Sequence, residues 1–144
     1  MTIVVAVSRD KNTDRVVQEA SELATDLKEP LHVIHVLSES EYINLERTSV
    51  ERTGKAIERD KIETIAENVA NKAVEAIDQP VETVGLVGNP AEEIIRYGQT
   101  VDARYLVVGG RKRSPIGKAL FGSVTQGVLL DADRPVLTIL SGDD

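Results

Sequence analysis

Apolar residues in this chain come in short unbroken runs, separated by longer stretches with helical spacing. Ile3 to Val7, Leu31 to Leu37, Val81 to Val87, Arg104 to Val108 and Val136 to Leu140 each read as a strand. The runs are continuous instead of alternating, which predicts a sheet covered on both faces. Between the first two, Val16, Ala20, Leu23, Ala24 and Leu27 form one helical stripe. Asn12 or Thr13 can cap that helix, which runs to about Lys28. Ile62, Ile65, Ala66, Val69, Ala73, Ala76 and Ile77 predict a second helix, beginning after Glu51 and ending before Pro80. Asn89, Pro90 and Glu92 occupy N-cap, N1 and N3 of a third. Ser123 with Gln126 reads as the capping box of a fourth, ending near Asp131. The polar stretch Ser38 to Gly54 reads as a mobile loop.

Strict alternation of five strands and four helices predicts a doubly wound α/β fold with a five-stranded parallel sheet. The length, 144 residues, suits one domain over 1–144 with a real core. Such sheets bind ligands at the C-terminal ends of their strands, where the strand order reverses. In order 3-2-1-4-5 the loops Ser8 to Thr13 and Gly109 to Gly122 meet there; in order 2-1-3-4-5 the crevice lies between strands 1 and 3.

Charge separates the two orders. The chain has 17 Lys+Arg against 24 Asp+Glu, yet Gly109 to Ser123 holds Arg111, Lys112, Arg113 and Lys118 and no acid. A glycine-rich cationic loop between a strand and a helix suggests a site for phosphate or another anion. It places the crevice between strands 1 and 4, favouring order 3-2-1-4-5. Gly109 and Gly110 allow positive φ and close backbone approach. Gly122-Ser123 bring unpaired N–H groups at a helix start. The bland alternatives are a solvated Arg-Lys-Arg stretch and a Ser123 hydroxyl that only caps Gln126.

The net charge of −7 and one Phe, three Tyr and no Trp argue against nucleic-acid and anionic-membrane partners. Without cysteine there are no disulfides or thiolate sites. No apolar run is long enough for a signal core or a membrane span, so a cytoplasmic location is expected. His32 and His35, three apart on a strand, face opposite sides and are expected to pack, not to bind metal. Asp14 and Asp102 read as first-turn and turn residues. No Walker-type G-x4-G-K-[ST] is present, and nothing identifies a general base.

The chain resembles a single-domain universal stress protein along essentially its whole length. That family's G-x2-G-x9-G-[S/T] signature follows strand 4, and Gly109, Gly122 and Ser123 fall on its first glycine and its closing pair. Further echoes are Val4 to Val7, His35-Val36, Gly88-Asn89-Pro90, Val107-Val108-Gly109 and Arg134-Pro135-Val136. The resemblance implies order 3-2-1-4-5, an ATP site with magnesium in company, and backbone contact from Val36 to adenine. Together with the cationic loop it gives an expected nucleotide-binding set of Val7, Ser8, Asp10, Val36, Gly109, Arg111, Lys112, Arg113, Gly122, Ser123 and Val124. Two positions depart: Lys112 stands at the second glycine, and Ser8 at the strand-1 carboxylate. The implied function is stress response by nucleotide sensing, with ATP hydrolysis at most a slow leak. The alternative is a dimeric interaction module without nucleotide. The last strand, at a sheet edge, is the expected homodimer contact.

Overall fold

The computed structural model describes residues 1–9, 13–113 and 118–141. The order of elements is β1 (Thr2–Ala6), α1 (Thr13–Leu27), β2 (Leu31–Leu37), α2 (Glu39–Thr53), α3 (Arg59–Ala73), β3 (Val81–Val87), α4 (Pro90–Thr100), β4 (Ala103–Arg113), β5 (Lys118–Leu120), α5 (Ser123–Asp131) and β6 (Val136–Ser141). Five strands are parallel in the order β3-β2-β1-β4-β6, so the predicted order 3-2-1-4-5 holds with β6 as its fifth strand.

The unbroken apolar runs have their cause in the two core layers. Ile3, Val5, Val7, Leu31, Val33 and Val107 pack on one face, beneath Val16, Val17, Ala20 and Ala24 of α1 and Ala70 of α3. Their strand neighbours Val4, Ile34, Val36, Leu106 and Val108 pack on the other, beneath Ile94 of α4 and Val128 of α5. Each fully buried Val, Leu or Ile is worth roughly 1.5–3 kcal/mol, so the central strands β1 and β4 anchor the fold. A third cluster, Leu37, Ile62, Ala66 and Val87, seats α3 on β2 and β3.

Among the described residues there are five helices, not four. Ser38 to Gly54, expected as a loop, contains α2. Ser38 and Glu41 form a capping box at its start, and Gly54 ends it in the left-handed conformation at φ 73°. No residue of α2 is buried. Local capping and helix propensity therefore define it, and it leaves no apolar stripe to read. The second predicted helix is α3, which stops at Ala73, so Ala76 and Ile77 lie beyond it. The fourth predicted helix, α5, is capped one residue earlier than expected. Gly122 is its N-cap, and Gln126 N–H donates to the Gly122 carbonyl at 3.0 Å, not to Ser123.

Candidate functional site

The crevice arises from unequal strand lengths. β1 ends at Ala6, level with Ile34 of β2. Beyond that point β2 runs on to Leu37 and β4 to Arg113. The last bond of the β1–β2 ladder is Val7 N–H to Ile34 O, 2.9 Å. Backbone groups of alternate residues point the same way, so those of Val36, like those of Ile34, face the side where β1 has ended. Val7 and Val36, each 7% exposed, therefore form the floor and one wall.

Two hydroxyls hold the rest in place. Thr13, opening α1, donates from Oγ1 to the Ser8 carbonyl at 2.8 Å. Thr125, in the first turn of α5, donates to the Gly109 carbonyl at 2.7 Å. The second bond fastens the start of α5 to the end of β4. Ser123 and Val124 are exposed in that first turn, which has no acidic residue. The first turn of α4, by contrast, carries Glu92 and Glu93. The positive end of the α5 dipole thus meets no carboxylate of its own. Asn89 caps α4 as expected, accepting from Glu92 N–H at 3.1 Å.

The glycines act differently from expectation. Among the described glycines only Gly54 and Gly88 have positive φ, so Gly109 and Gly110 do not exploit that freedom. They lie in the β4 ladder, opposite Ile139 and Leu140. A Cβ at Gly109 would sit 3.1 Å from Val16 Cγ2, and one at Gly110 would sit 2.9 Å from Leu140 Cδ2 and 3.0 Å from Phe121 Cδ1. These two glycines make room for the protein's own side chains. A Cβ at Gly122 would meet nothing within 4 Å.

Lys112 lies in extended backbone paired with Ala119 of β5, where a side chain costs nothing in φ. Arg111 pairs with Leu120 of β5 on one side and Ser141 of β6 on the other. Since β6 flanks β4 opposite β1, β5 lies on the β1 side, in line with β1 and beyond its end. The segment expected as a free loop is therefore partly a hairpin over the crevice. Asp10 lies outside the described residues, as do the side chains of Arg111, Lys112, Arg113 and Lys118.

The two histidines face opposite ways, as expected. His32 Nδ1 lies 2.7 Å from the Tyr97 hydroxyl on the α4 face. Burial, and then the charge of Glu82, push the Tyr97 hydroxyl above its usual range. His35 is buried on the α1 face, with Nδ1 2.7 Å from the Val7 carbonyl. Sequence reasoning treated His35 as packing and passed over Thr13 and Thr125 as the clamps on the strand ends. Only the echo His35-Val36 hinted at the first. Asp14 is in the first turn of α1, and Asp102 is a turn residue at φ 51° beside Arg134. Among the described residues no cluster of three His, Cys, Asp or Glu side chains could hold a metal ion. None of the described helices is long and apolar enough to cross a membrane. Ser123 and Val124 also line an open groove of about 550 Å³ between α4 and α5, shared with Asn89, Pro90 and Gly127; Val7, Val36 and Gly109 do not reach it.

Residues 1–139 match the universal stress protein family. The chain belongs to that family. A universal stress protein of Mycolicibacterium smegmatis is 46% identical over 48 residues, 33% of this chain and 37% of that one, so the match spans little more than a third of that relative. The universal stress protein of Archaeoglobus fulgidus superposes with a TM-score of 0.61 at 32% identity, covering 96% of this chain and 98% of its own. A universal stress protein crystallised in complex with cAMP superposes with a TM-score of 0.65 at 22% identity, covering 97% and 96%. The altered signature is thus a variant within the family, carried on the family's sheet.

Proposed function

We propose that this chain binds an adenine nucleotide, ATP foremost, in the crevice above β1, and that it serves in the cytoplasm as a stress-response sensing module without robust catalysis. The observation that carries this is the overhang of β2 and β4 past the end of β1. It leaves the backbone edge of Val36 on one side and the start of α5, with no acid in its own first turn, on the other. The base would sit against Val36, the ribose near Val7, Ser8 and Asp10, and the phosphates over Gly109 and the Gly122-Ser123-Val124 turn. Arg111, Lys112 and Arg113 would add charge, and magnesium would arrive with the triphosphate. Open space at Gly122 supports close approach of a phosphate there. The cAMP complex of a protein with the same fold supports an adenine ligand.

A homodimer through Val136 to Leu140 belongs to this reading. β6 pairs with β4 alone among the described strands, so its outer edge is open. Calorimetric titration with Mg-ATP, with mass spectrometry of any nucleotide released on denaturation, tests the site. Light scattering tests the dimer. Heat on titration or co-purified nucleotide is expected; neither one at millimolar ATP overturns the nucleotide reading. A dimer without nucleotide would favour an interaction module instead.

A further inference from the structure

We infer that His35 is a positioning residue for the nucleotide base: its ring draws the Val7 carbonyl toward Nδ1, so that the β1–β2 ladder stops one bond early and the Val36 N–H has no backbone partner among the described residues. The inference rests on the nucleotide site proposed above. In an evenly spaced parallel ladder, the bond after Val7 N–H to Ile34 O runs from Val36 N–H to Val7 O. That bond is not formed. The Val7 carbonyl instead lies 2.7 Å from His35 Nδ1. A carbonyl only accepts, so Nδ1 carries the proton.

The other ring nitrogen shows that packing alone does not account for this side chain. His35 Nε2 is buried and has no hydrogen-bond partner among the described residues. A buried acceptor without a donor is a standing cost, which a phenylalanine or leucine of similar bulk would avoid. What histidine adds at this position is the single Nδ1–H bond to Val7. Its consequence falls on the next residue, where N–H and C=O both face the gap. A donor beside an acceptor matches the adenine edge, with its ring nitrogen acceptor and its amino donor. Guanine presents the opposite pair, so the arrangement also selects the base.

The test is amide hydrogen exchange in the nucleotide-free protein, with ATP, GTP and inorganic triphosphate titrated in parallel. In the unsubstituted protein the Val36 amide should exchange far faster than that of Ile34, although Val36 is only 7% exposed. His35→Phe should slow Val36 exchange by about tenfold as the ladder closes, and should weaken ATP by about tenfold while leaving triphosphate unchanged. His35→Asn, which keeps a donor near the Nδ1 position, should behave like the unsubstituted protein. Val36 protected like Ile34 in the unsubstituted protein overturns the inference, and so does a folded H35F with unchanged ATP affinity. The first comparison stands even if H35F fails to fold. Rapid Val36 exchange without any ATP binding would overturn the nucleotide reading while leaving the effect of His35 on the ladder intact.

Discussion

The two ends of the glycine signature obey different constraints. Gly109 and Gly110, at the end of β4, are hemmed in by Val16, Phe121 and Leu140. Gly122, at the start of α5, faces open space, with Ser123 exposed beside it. The first pair is needed for the protein to pack on itself. The second has no such need in the folded chain. One motif thus combines a packing element with the turn proposed to meet the phosphates, and substitution can separate them.

The largest effect should come from Gly110→Val, which drives a branched side chain into Phe121 and Leu140. It should cost about 1–3 kcal/mol, read as a lowered urea midpoint. An unchanged midpoint would break the contrast at its first term. Thr125→Val removes the bond that joins the two ends and strands the Gly109 carbonyl, for a loss of about 1–2 kcal/mol in the same assay. Gly122→Ala should leave stability within about 0.5 kcal/mol, because φ of −65° suits alanine and the Cβ meets nothing. Its effect belongs in calorimetry, as an ATP affinity lowered by about tenfold through one crowded phosphate contact. If Gly122→Ala unfolds the protein and leaves affinity alone, the two ends have been assigned the wrong way round. Ser123→Ala is the finest probe. It should leave the melt unchanged, since Gly122 and not Ser123 caps α5, and should weaken ATP by only about threefold to tenfold.

What the sequence disclosed followed burial. β2 and β3 match their predicted bounds, Leu31–Leu37 and Val81–Val87, because unbroken apolar runs are what a doubly covered sheet demands. α2 was hidden because no residue of it is buried, although Ser38, Glu41 and Gly54 carried its start and stop signals. The extension of β4 was hidden for another reason. Glycines and cations make a poor strand signal, and pairing with β5 and β6 depends on partners outside any local window. The crevice at the ends of strands 1 and 4 was legible through the strand order. The contacts that organise it were not: Thr125 reaches back 16 residues to Gly109, and His35 reaches across 28 to Val7. Sequence spacing at that range carries no geometry.

β1 has five residues and β4 has eleven. Beyond the level of Ala6 only Gly109 and Gly110 precede the pairing with β5 at Arg111, a gap of roughly 7 Å at a rise of about 3.3 Å per residue. The hollow is therefore measured out by where β1 stops and β5 begins, before any side chain decorates it. Point substitutions edit its lining, whereas filling it would take an insertion that lengthens β1.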